Sequence, residues 1–108
     1  MIQTKHSFTF PASVTLAKTA TLYDNGIITM YTMVVPAMTG VAVTATLSIQ
    51  DDDAVTIYTG DAKNENGTYL VTGLTIPCNK EYTATVTLDK AAGDIATVTV
   101  KLFLEERR

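Results

Sequence analysis

Apolar and polar residues alternate with a period of two along most of this chain. In "VAVTATLSIQ", Val41, Val43, Ala45, Leu47 and Ile49 fall on one face, and Thr44, Thr46, Ser48 and Gln50 on the other. In "EYTATVTL", Tyr82, Ala84, Val86 and Leu88 oppose Thr83, Thr85 and Thr87; in "IATVTVKLFLE", Ala96, Val98, Val100, Leu102 and Leu104 oppose Thr97, Thr99 and Lys101. Successive side chains of a strand point to opposite sides, so each segment has one apolar face to bury. A helix would scatter the same residues around its circumference, and threonine is a poor helix former. Turn residues punctuate the runs, in "DNG" at 24–26, "PAMTG" at 36–40, "GDAKNENG" at 60–67, "PCNK" at 77–80 and "DKAAGD" at 89–94. Strands are predicted near 5–10, 14–23, 27–35, 41–50, 54–59, 68–76, 81–88 and 95–104. About eight short strands with regular turns predict an all-β fold, an antiparallel β-sandwich or jelly roll. Residues 11–20, "PASVTLAKTA", fit a strand, a loop or a single helical turn.

Three turns carry specific expectations. Asn25 and Gly26 tolerate the positive φ of a type I′ turn, which predicts a tight hairpin there. In "LSIQDDDAVTIYTG" the apolar residues on both sides of the aspartates are odd-numbered, so Ile49 is expected opposite Val55 and Leu47 opposite Ile57. Asp51, Asp52 and Asp53 then form a three-residue loop with Asp53 in the left-handed region, which Asp tolerates better than most residues. The competing reading is a Ca²⁺ site using Asp61 or Asn64 as further ligands. Against it, the run lacks the glycine and terminal glutamate of a calcium-binding loop. The same register arithmetic sets Leu88 opposite Ala96 in a second hairpin, with Gly93 at the left-handed position.

Two segments exceed what a plain sheet needs. "IITMYTMVV" (27–35) is apolar on both faces, with Ile28, Met30 and Val34 on one and Ile27, Tyr31, Met33 and Val35 on the other. Such a strand is covered twice, either by a second element of the same chain or by a partner, for which Tyr and Met are typical. The expected partner face is that of Ile27, Tyr31, Met33 and Val35. In "MIQTKHSFTF", Phe8 and Phe10 share a face and Pro11 follows at once. A proline suits a sheet edge, so residues 1–10 are expected to form an edge strand or an N-terminal arm whose phenylalanines contact an adjacent subunit.

Composition narrows the chemistry. The 108 residues suffice for one domain with a core of its own, and 46% of them are hydrophobic against 18% charged. No apolar run approaches the roughly 20 residues that span a bilayer, and no apolar stretch of a secretory leader is visible. The net charge of −3 comes without a basic stripe, which argues against nucleic acid. Cys78 is the single cysteine and His6 the single histidine, so no intrachain disulfide or multi-histidine metal site can form. Ser13 and Ser48 lie on no nucleophile motif, and no phosphate-binding loop occurs. The expectation is a protein that is not an enzyme, with no catalytic residues, cofactor or metal.

Residues 20–104 also resemble a known family. "ATLYDNGIITMYTMVVPAM", "TATLSIQDDDAVTIYTG" and "YTATVTLDKAAGDIATVTVKLFLE" are similar to small β-sandwich virion proteins of tailed bacteriophages. The matching positions are Tyr23, Asp24, Gly26 and Pro36, the acidic turn Asp51–Asp53 before Ile57 and Tyr58, then Leu88, Ala92, Gly93, Val98, Val100, Leu102 and Leu104. A glycine usual in the acidic turn is replaced here by Asp53 or Ala54. The resemblance implies a head decoration or capsid-stabilising subunit that binds capsid or other virion proteins, is compatible with a homo-oligomer, and is assembled in the host bacterial cytoplasm. The alternative function is a carbohydrate-binding or adhesion module. With no tryptophan, such a module would build its sugar platform from Tyr23, Tyr31, Tyr58, Tyr69 and Tyr82.

Overall fold

The computed structural model describes residues 2–10, 16–38, 42–90 and 95–106. Their elements are β1 (Ile2–Phe10), β2 (Ala17–Val35), β3 (Thr44–Gln50), β4 (Thr56–Thr59), β5 (Lys63–Asn64), β6 (Gly67–Val71), β7 (Ile76–Leu88) and β8 (Ala96–Glu106). All are antiparallel members of one open sheet, in the order β1-β8-β2-β7-β3-β4, with β5 beside β3 and β6 beside β2. The fold is all-β, as the alternation requires. Inward residues of β1, β2, β3, β7 and β8 join one buried cluster that includes Phe10, Ile28, Leu47, Tyr82, Val86 and Leu104. A single sheet can bury one face this fully only by bending over onto itself, so its two halves act as the layers of a sandwich.

The nineteen-residue β2 is the hinge of that arrangement. Residues 17–28 pair with β7, residues 26–34 pair with β8, and residues 31–35 pair with β6. At the handover Ile28 lies opposite Leu104 and Met30 opposite Phe103, leaving Thr29 as the extra residue of a β-bulge. Before the bulge the even-numbered Leu22 and Ile28 face the core; after it the odd-numbered Tyr31, Met33 and Val35 do. This corrects the face assignment of "IITMYTMVV": Ile28, Tyr31, Met33 and Val35 serve one core through a change of phase, while Ile27 and Met30 stay half-buried and Val34 exposed. Burying three large side chains is worth about 1.5–3 kcal/mol each. One disrupted ladder hydrogen bond costs about 0.5–1.5 kcal/mol, so the bulge wins.

The expected hairpin at Asn25 and Gly26 does not form. "DNG" lies inside β2, with Asp24, Asn25 and Gly26 opposite Lys80, Asn79 and Cys78 of β7. Two stretches rich in turn residues thus face each other and neither turns. The irregularity survives as a positive φ of 69° at Lys80, whose N–H is accepted by Asn25 Oδ1 at 2.8 Å. The reversal that the sequence placed at 77–80 occurs earlier, at Gly73, where φ is 73°. Gly73 suits that conformation, and a Cβ there would meet nothing.

The predicted β7–β8 hairpin is also corrected, since β2 lies between those strands. Leu88 faces Ala45, and Ala96 faces Phe10. Local register cannot reveal that a distant strand inserts between two neighbours in sequence. Gly93 lies outside the described residues, as do 11–15.

Candidate functional site

The partner-facing residues expected from sequence are mostly taken up by the chain itself. Phe8, Phe10, Tyr31, Met33 and Val35 are all buried, and Ile27 is half-buried. β1 is no detached arm; it pairs with β8 from Ile2 to Phe10, and that pairing turns both phenylalanines into the core. It does lie at the end of the sheet order, as an edge strand.

The aspartate turn forms, displaced by one residue from its expected place. Asp51 N–H donates to Val55 O at 2.9 Å and Ala54 N–H to Asp51 O at 3.1 Å, enclosing Asp52, Asp53 and Ala54. This is a type I turn followed by a left-handed residue, and that residue is Ala54 at φ 60° rather than Asp53. Asp51 Oδ1 accepts the N–H groups of Asp53 and Val55 at 3.0 and 2.9 Å, which fixes where the loop begins. The register argument fails beyond it. Tyr58, not Val55, lies opposite Ile49, a register shift follows Ile49, and Val55 is 55% exposed. Among the described residues no group of three His, Cys, Asp or Glu side chains is placed to hold a metal ion.

A cleft of about 240 Å³ lies between this turn and the start of β7, lined by Asp51, Asp52, Ile57, Pro77, Asn79 and Tyr82. Tyr82 donates its hydroxyl proton to Asp24 Oδ2 at 2.9 Å. Burial first, and then that carboxylate, push its pKa far above the ordinary phenol value, which keeps the hydroxyl protonated as the donor to Asp24. Close to Asp24 sits His6, half-buried on the inward side of β1. Burial lowers its pKa from 6.5, the Asp24 charge works the other way, and Nε2 bonds to no described residue. Tyr31 and Tyr58 form an edge-on pair with their hydroxyls 3.1 Å apart. Burial chiefly pushes the Tyr31 hydroxyl pKa upward. With Tyr31 and Tyr82 in the core, a tyrosine platform for sugars loses two of its five members.

The outer face of β1, β8, β2 and β6 carries side chains that sequence reasoning passed over. One cross-strand row is Lys5, Lys101, Thr32 and Leu70, and the next is Ser7, Thr99, Val34 and Thr68. Leu70 is 63% and Val34 43% exposed, on diagonal positions of adjacent strands. Lys5 and Lys101 stand directly opposite each other, and among the described residues neither pairs with a carboxylate. Their juxtaposition depends on pairing between the two ends of the chain, which no local pattern announces.

No family model matches the chain, and no curated protein matches it in sequence. Solved structures with a similar course of the chain include the Yersinia pseudotuberculosis-derived mitogen, at TM-score 0.49 and 6% identity over 99% of this chain and 89% of that one. The Drosophila NLP-core aligns at TM-score 0.41 and 12% identity over 98% and 100%. VP2 of the infectious bursal disease virus subviral particle aligns at TM-score 0.37 and 14% identity over 93% of this chain and 30% of VP2, so the chain spans under a third of that protein. These likenesses concern general β architecture.

Proposed function

We propose that the chain is a non-enzymatic virion structural protein, a head decoration or capsid-stabilising subunit of a tailed phage acting through protein–protein contacts. The sequence resemblance over residues 20–104 suggests the class. The observation that supports it in the fold is the outer edge of β1. All nine residues of this strand are held by β8 on one side, and no described strand pairs with the other. An ordered edge of that length offers a row of backbone N–H and C=O groups to an extended segment of a capsid protein. The contact therefore runs through the backbone of β1, while Phe8 and Phe10 anchor the strand from within.

Mass spectrometry of purified virions from the source phage tests this reading, with the chain expected at a stoichiometry comparable to that of the capsid protein. Its absence from the particles, combined with micromolar glycan binding by the isolated protein, would replace the proposal by an adhesion module.

A further inference from the structure

We infer that the outer face of β1-β8-β2-β6 is the docking surface for the acidic β3–β4 turn of a second copy of this chain. Two independent features set that face apart. Lys5 and Lys101 are directly opposite on adjacent strands, a like-charge arrangement that weakens a sheet. They sit there without a carboxylate partner among the described residues, in a chain whose net charge is −3. Two strands along the row from Lys101, past Thr32, lies Leu70, with Val34 diagonal to it; both are exposed. A paired cation beside an aliphatic patch fits a partner that presents carboxylates next to an apolar side chain.

The chain carries such a group on its own β3–β4 turn. Asp52 and Asp53 are exposed at the tip, and Val55, two residues past Asp53, is 55% exposed. The Asp51 carboxylate holds the backbone of this turn through Asp53 and Val55, so little conformational freedom is lost when the tip docks. In the docked pair Asp52 and Asp53 lie over Lys5 and Lys101, and Val55 lies over Leu70 and Val34. The two surfaces are different patches of the same molecule, so the contact is heterologous and propagates to rings or chains of subunits. It does not use the free edge of β1 and stands apart from attachment to a particle.

Sedimentation velocity of the full chain up to about 1 mM, the weak end of measurable affinities, tests the proposal. Self-association is expected, and it should weaken between about 0.05 and about 0.5 M NaCl as the charges are screened. The double variant Lys5→Glu, Lys101→Glu should lose at least about ten-fold in association constant, and so should Asp52→Lys, Asp53→Lys. Combining all four substitutions in one chain should restore association. Circular dichroism of each variant checks that the fold is retained; should the lysine pair fail that check, Leu70→Asp replaces it with the same expected loss. A wild-type chain that stays monomeric throughout overturns the inference. So does association that survives either reversal, or a four-fold variant that is not restored.

Discussion

Two stretches of this chain look alike in sequence and end differently: Asp24-Asn25-Gly26 runs straight through the middle of β2, and Asp51-Asp52-Asp53 turns. Each has a side chain able to cap nearby backbone. The difference is where those side chains find partners. Asp51 closes on its own neighbours, the N–H groups two and four residues ahead. Asp24 and Asn25 instead reach another strand, where they accept from the Tyr82 hydroxyl and the Lys80 N–H, 58 and 55 residues away. A turn residue makes a turn only when its hydrogen bonds are satisfied locally and its flanking strands are not both held in one ladder. Here β7 pairs with residues 17–28 without interruption and keeps "DNG" extended.

Removing the long-range partner should therefore cost more than removing the local one. Tyr82→Phe deletes only the hydroxyl and leaves a partly buried Asp24 carboxylate without its donor, so a loss of about 1–3 kcal/mol is expected, measured by urea unfolding. A loss below that of Asp51→Ala would break the contrast. Asp51→Ala removes two hydrogen bonds from an exposed turn, where water can replace them, and should cost about 1 kcal/mol.

Ala54→Gly tests the turn from the other side. Ala54 holds a left-handed φ of 60°, which glycine adopts without strain, so a gain of up to about 1 kcal/mol is expected. A fall in melting temperature would place the left-handed strain elsewhere. The smallest effect is a pH dependence at the Asp24 end. The His6 pKa is lowered on folding, so the unfolded chain binds the proton more tightly. Stability is full above the unfolded value of 6.5 and declines as pH falls from there towards the folded pKa. In His6→Asn the slope of melting temperature against pH in that window should flatten, and an unchanged slope would assign it to the carboxylates.

Much of the core was legible from alternation alone. Val43, Ala45, Leu47 and Ile49, with Tyr82, Ala84, Val86 and Leu88, are buried in the phase that the sequence sets. The period of two is a property of the strand itself, whatever it pairs with. The acidic turn was legible for a similar reason, because its hydrogen bonds are local; its boundary was off by one residue, and the register beyond it, set by the β3–β4 pairing, was not legible. The expected partner surface was not legible, because the apolar residues of "IITMYTMVV" change phase at a bulge that exists only where β2 passes from β7 to β8.

By itself, then, the sequence determined that the chain is built of strands and, along each regular strand, which face is apolar. Both follow from interactions within a few residues. Strand order was decided by the tertiary structure: β2 between β7 and β8, Phe8 and Phe10 packed inward by β8, and Lys5 set against Lys101. Those outcomes depend on which distant segments share a ladder. That choice is made by the burial of the whole core at once, and no short window of the chain contains it.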